Sequence, residues 1–238
     1  MKKGFKKIKV FSIIVIIICI FWYAIGSTIL KSRNIKINGF SIGLDDDKAG
    51  IQAANVSVRP ELLLVNREHC LSEDYIPKGL KIPNIPFSKT AENEEKHVAT
   101  LIVNPLETLV GAARSEGIIL LGNSGYRSYE SQERTYNNRI KSQGQKLADE
   151  YVAKPGLSEH QTGLCIDLTN KAGYFLGSKE ARWLAANCYR FGFIIRYPAE
   201  KKSITGTEYE PWHIRYVGKK AAKYIHDNGL TLEEYLEK

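Results

Sequence analysis

The stretch Ser158-Glu159-His160-Gln161-Thr162-Gly163-Leu164-Cys165-Ile166-Asp167, followed further on by Glu210-Pro211-Trp212-His213, decides how this chain is read. Two histidines and one aspartate make a three-ligand set of the kind that leaves zinc an open coordination position. Glu210 stands close enough to His213 in sequence to act as a base on water at such a site. His160 and Asp167 are seven residues apart with Gly163 between them, so the helical zinc-peptidase spacing is absent. On a strand, alternation puts Cys165 and Asp167 on one face and Leu164, Ile166 and Leu168 on the other, toward a core. Glu210 and His213 would face opposite ways on a flat strand. Pro211 supplies the turn that lets both enter one site, with Trp212 as a wall.

Outward from these motifs, the chain alternates short apolar runs with helical patterns. Residues 61–66 read as a first strand, followed by a loop punctuated by Pro77, Gly79, Pro83 and Pro86. Leu101, Leu106, Leu109, Val110 and Ala113 recur at helical intervals within 96–116, and Pro105 marks a start or a bend. Residues 118–121 read as a buried strand that delivers the chain to Ser124-Gly125-Tyr126-Arg127-Ser128. Residues 129–150 are helix-compatible with a break at Gly144, and 163–169 alternate as a strand. Residues 179–191 read as a helix ended by Gly192. Residues 193–197 form a strand stopped by Pro198, and helices follow over 219–228 and 230–237. Strands and helices mix without a regular β-α-β repeat, which predicts an α+β fold.

The N-terminus carries a different message. Lys2, Lys3, Lys6, Lys7 and Lys9 precede an apolar run over residues 10–30, long enough to cross a bilayer. Its bulk and length, with Trp22 and Tyr23, favour an uncleaved anchor over a signal peptide. The expected layout is a cytoplasmic tail over 1–9, a transmembrane helix over 10–30, an extracytoplasmic linker over 31–55 and a catalytic domain over 56–238. Residues 1–33 hold seven Lys and Arg and no acid, and removing them from the net +8 leaves about +1. A nearly neutral ectodomain gives no electrostatic reason to bind nucleic acid.

Ser-Gly-Tyr-Arg-Ser at 124–128, Gln132, Ser-x-His-x-x-Gly-x-x-x-Asp at 158–167, Arg-Tyr-Pro at 196–198 and Glu-Pro-Trp-His at 210–213 resemble the VanY-type D-alanyl-D-alanine carboxypeptidases. These belong to a wider zinc peptidase group with the VanX dipeptidases, lysostaphin-like endopeptidases and hedgehog domains. The resemblance runs in order from about Leu62 to Tyr216. It implies a small, mostly antiparallel sheet with flanking helices around a zinc site. It implies His160, Asp167 and His213 as Zn2+ ligands and Glu210 as the catalytic base. Arg127 matches the arginine that holds the substrate or its developing oxyanion, while Ser158 and Gln132 match positions near the substrate's C-terminal end. Cys165 and Cys188 stand where the family often has alanine, which suggests either a contact, such as a disulfide, or two separate buried thiols.

The implied activity is removal of the terminal D-alanine from peptidoglycan stem peptides or precursors ending in D-Ala-D-Ala, outside the membrane. Such trimming removes the vancomycin target, and ordinary wall remodelling fits the same residues. Two alternatives stand beside it: an L,D-carboxypeptidase of tetrapeptides, and a wall-binding module that keeps the zinc fold without turnover. An intact Glu210 argues against the second. The Ser-x-x-Lys and Lys-Thr-Gly motifs of serine D,D-peptidases do not occur.

Overall fold

A computed structural model describes residues 59–237. The tail, the apolar run and the linker expected over 1–55 lie outside the described residues. Among those described, no helix is long and apolar enough to cross a membrane.

The centre is a four-stranded antiparallel sheet built from β3 (Leu121–Ser124), β4 (Cys165–Thr169), β5 (Phe193–Ile195) and β6 (His213–Tyr216), in spatial order β3-β4-β6-β5. A two-stranded ribbon, β1 (Leu80–Lys81) with β2 (Val98–Ala99), precedes it. Register sets the chemistry. Asp167 lies opposite His213, Cys165 opposite Arg215, and Ile166 opposite Ile214. Residues directly opposite share a face. One face of the sheet therefore carries Cys165, Asp167, His213 and Arg215, and the other carries Ile166 and Ile214 into the core. Ser124 also pairs with Asp167, past a register shift after Gly122, so β3 ends beside the polar face.

The apolar face is covered by α1 (Thr100–Ser115) and α4 (Lys179–Asn187). Ile102, Leu106, Leu109, Val110 and Ala113 form the buried stripe of α1. Leu101, expected in that stripe, points outward and is exposed. The helix starts at Thr100, upstream of Pro105, which sits inside it. An interior proline costs about 3 kcal/mol. Each fully buried Leu or Ile returns about 1.5–3 kcal/mol, so the stripe outweighs the break. The two polar helices α2 (Tyr129–Gln143) and α3 (Gln145–Tyr151) divide at Gly144, as the sequence suggests. After the short α5 (Lys202–Thr205), α6 (Lys219–Asn228) and α7 (Leu232–Leu236) close the chain. A capping box between Thr231 and Glu234 starts α7.

Two expectations are corrected, and one of the two arrangements open to the cysteines is found. Residues 61–66 are no strand: Pro60–Leu62 is a 3-10 turn, and the Glu61 and Leu63 carbonyls accept hydrogen bonds from the Arg215 guanidinium instead of a neighbouring strand. The strand placed over 118–121 begins only at Leu121, because its pairing partner is β4. Cys165 and Cys188 are both buried and are not bridged. Cys188 packs in the core behind the sheet, whereas Cys165 faces the two histidines on the other side. Burial pushes the Cys188 thiol up to about 12, the behaviour of an inert core thiol.

Candidate active site

His160 sits in a 3-10 turn, Glu159–Thr162, whose first amides are capped by the Ser158 hydroxyl, an acceptor from His160 N–H at 3.4 Å. Gly163 ends the turn at φ 65°, and a Cβ there would lie 2.9 Å from the Ala99 nitrogen. Both the conformation and the close approach require glycine. The turn thus delivers His160 to the head of β4, on the same side as Asp167.

The two imidazoles lie with ring centroids 5.0 Å apart, edge to face. His160 donates from Nδ1 to the Gly125 carbonyl at 2.7 Å, which fixes the tautomer and leaves Nε2 facing Asp167 Oδ2 at 3.6 Å. His213 has Nε2 against Glu159 Oε2 at 3.4 Å, and Nδ1 3.1 Å from Asp167 Oδ1 and 3.7 Å from Glu210 Oε2. Asp167 Oδ1 is buried and has no geometrically satisfied hydrogen bond, although His213 Nδ1 lies 3.1 Å away. A carboxylate with one orphaned oxygen, its two oxygens each facing an imidazole nitrogen whose ring partner is already engaged, fits a divalent cation. The donor set His160, Asp167 and His213 suits zinc.

A second donor group shares the same histidines. The donor atoms of His160, Cys165 and His213 all lie within 4.8 Å of one another. The two sets differ in access. Cys165 is fully buried, while Asp167 and Glu210 keep 19% and 21% of their side chains exposed. The cluster is therefore open to solvent on the side of Asp167 and Glu210 and closed on the side of the thiol. Burial opposes ionisation of the Cys165 thiol, but His160 and His213 bring it down to about 7.

Glu210 lies past α5, just before β6; its amide donates to the Tyr197 carbonyl at 3.0 Å, and His213 N–H donates to the Glu210 carbonyl. The Pro211 turn expected from the sequence therefore brings Glu210 and His213 together. Trp212, between them, is half-buried and packs against the apolar core. Burial pushes the Glu210 carboxyl up to about 7, His213 pulls against that rise, and Asp167 adds to it. A carboxyl poised there is suited to proton transfer near neutrality.

Arg127 emerges from the end of β3, at a Gly125 whose Cβ would come 2.4 Å from the His97 carbonyl oxygen. Its guanidinium donates to Glu95 Oε1 at 2.9 and 3.0 Å, to Ser124 Oγ at 2.8 Å and to Gln132 Oε1 at 2.8 Å. Burial opposes ionisation of Asp167, but His160 and His213, with a smaller contribution from Arg127, hold its carboxyl down. Gln132 is committed at both ends, since its amide nitrogen also donates to the Ala153 carbonyl at 2.6 Å. Its hydrogen bonds place it as a support for Arg127. Ser158 is likewise buried as the cap of the His160 turn.

Behind His213 lies a buried ionic network that the sequence reading did not assign. Glu159 Oε1 accepts from Arg196 Nε at 2.7 Å and Arg215 Nη1 at 2.6 Å. Arg196 also forks onto Glu233 at 2.6 and 2.8 Å. Burial works against the Glu159 carboxylate, but the two guanidinia dominate and hold its pKa far below the usual range. Arg215 and Arg196 are both wholly inaccessible. A signal did exist for some of these. Glu159 adjoins His160, Arg196 opens the Arg-Tyr-Pro motif, and Arg215 shares His213's strand face. Nothing near Arg127 in sequence points to Glu95.

A family model for VanY, D-alanyl-D-alanine carboxypeptidase, matches residues 95–219. The protein YodJ of Bacillus subtilis is 46% identical over 218 residues, covering 87% of this chain and 80% of YodJ. The solved LdcB LD-carboxypeptidase is 45% identical at a TM-score of 0.69, over 75% of this chain and 87% of its own. A zinc complex of the vancomycin-resistance D,D-pentapeptidase VanY is 38% identical at a TM-score of 0.64, over 74% and 98%. The chain belongs to the VanY D-alanyl-D-alanine carboxypeptidase family. It is a zinc metallopeptidase, and the antiparallel α+β architecture described above is that of its relatives.

Proposed function

We propose that the protein removes a C-terminal D-alanine from peptidoglycan stem peptides ending in D-Ala-D-Ala, with His160, Asp167 and His213 as the zinc ligands. The convergence of these three side chains beside a raised Glu210 carboxyl carries this reading. Bound zinc supplies Lewis acidity at the scissile carbonyl and the attacking water. Glu210 takes the proton from water as its oxygen attacks the carbonyl carbon. It delivers that proton to the departing amine as the C–N bond breaks, leaving a shortened peptide carboxylate and free D-alanine. Arg127, locked in orientation by Glu95, Ser124 and Gln132, carries the negative charge at the reacting end, either the terminal carboxylate or the developing oxyanion.

The likeness to LdcB favours a second reading, an L,D-carboxypeptidase acting on tetrapeptides. Both reactions release D-alanine and differ in the chirality of the residue that keeps the carbonyl. Incubating the full chain with pentapeptide and with tetrapeptide separates them. Release of D-alanine from the pentapeptide, stopped by a chelator, is the expected result. Release from the tetrapeptide alone replaces this reading with the second. Loss of the terminal D-alanine would remove the target of vancomycin, and the same chemistry serves wall remodelling.

The site works outside the cell membrane, held there by the apolar run over 10–30. Five lysines before that run and two basic residues soon after it, Lys31 and Arg33, support this orientation. Protease treatment of intact cells should release an active fragment. Resistance to protease until lysis contradicts the orientation, and a mature N-terminus near Ser27 replaces the anchor with a signal peptide.

A further inference from the structure

Cys165 lies on the polar sheet face beside Asp167 and His213, and the proposed hydrolysis gives it no part. It stands two residues before Asp167 on β4, so both side chains project from the same face. Its strand partner is Arg215, whose guanidinium is committed to Glu159 and to the Glu61 and Leu63 carbonyls. The thiol therefore gains nothing from its cross-strand neighbour. What it does face is the pair of histidines, with all three donor atoms within 4.8 Å. The position is inaccessible to solvent, and the apolar core lies on the far side of the sheet.

We propose that Cys165 is a fourth protein donor to the metal, contributing a thiolate from the floor of the site. The inference rests on the reading that His160, Asp167 and His213 hold that metal. On binding, the thiol proton leaves to solvent and a sulfur–metal bond forms. Donation from the floor leaves the other side free, where Asp167 and Glu210 are part-exposed, so substrate still reaches the metal. Zinc tolerates the extra donor because it imposes no rigid geometry and expands to five ligands in catalytic sites. A thiolate is also the softest donor available, so it strengthens retention of zinc and favours thiophilic ions over hard ones.

The test is the absorption spectrum of the full chain after zinc is replaced by Co(II). Visible d–d bands report that cobalt occupies the site, and a near-ultraviolet sulfur-to-cobalt charge-transfer band reports a thiolate ligand. The expected result is both bands in the parent chain and in Cys188→Ala. Cys165→Ala and Cys165→Ser should keep the d–d bands and lose the charge-transfer band, and should release zinc to a chelator about tenfold faster. Strong d–d bands with no charge-transfer band that depends on Cys165 overturn the inference and leave the histidine–aspartate site standing. Absence of any cobalt bands in the parent chain overturns the metal site itself, and the inference with it.

Discussion

Glu210→Ala is expected to lose turnover by at least about 10²-fold while keeping its fold and its zinc. The carboxyl lies 3.7 Å from His213 Nδ1 but makes no side-chain hydrogen bond that holds the sheet together, so truncation should leave the ligands in place. Wild-type pH dependence carries the same signature. A base must be ionised to accept a proton, and burial raises the Glu210 pKa to about 7, so kcat/KM should fall as pH drops through that region. A bound cation favours the carboxylate, which places the acid limb of the zinc-loaded enzyme at or below about 7. Steady-state kinetics on the variant and a pH profile on the parent check both. Near-normal turnover in Glu210→Ala, or activity that climbs on acidification, contradicts the assignment.

The second large effect is expected at Glu159. Glu159→Ala leaves Arg196 with Glu233 as its one charged partner, and Arg215 with only backbone carbonyls, in a site closed to water. Removing one partner of a buried ion pair costs about 3–5 kcal/mol, a large share of a typical domain's stability. The same change frees His213 Nε2 from the carboxylate that orients its ring. Zinc affinity should therefore fall as well, by about 10–100-fold, the usual cost of losing a residue behind a metal ligand. Urea denaturation and zinc competition with a chelator measure the two losses separately. Glu159→Gln preserves shape and should fall between the parent and the alanine variant. An unchanged urea midpoint in Glu159→Ala would show that the network contributes nothing to stability.

Much of this site is legible in the sequence because strand alternation and turn chemistry are local rules. Asp167 and Cys165 could be assigned to one face, and Pro211 to a turn, without knowing any partner strand. The pairing of Asp167 with His213 could not, since register depends on residues far apart in the chain. The same limit explains the error at 61–66. Leu-Leu-Leu-Val reads as a strand, but its carbonyls serve Arg215, more than 150 residues away. Pro105 misled in the other direction, because the burial that outweighs its cost belongs to the packed helix. The cysteine question turned on faces: Cys165 was already on the ligand side by alternation, and only the packing of Cys188 behind the sheet showed that the two cannot meet. The ionic network stayed hidden because arginines and glutamates are usually solvated, and only burial reveals these four as exceptions.

Zinc content measured by elemental analysis on the full chain and on the His160→Ala/His213→Ala double variant tests the central claim most directly. About one zinc per parent chain, and none retained by the double variant, is the expected result. Stoichiometric zinc in the double variant would contradict it.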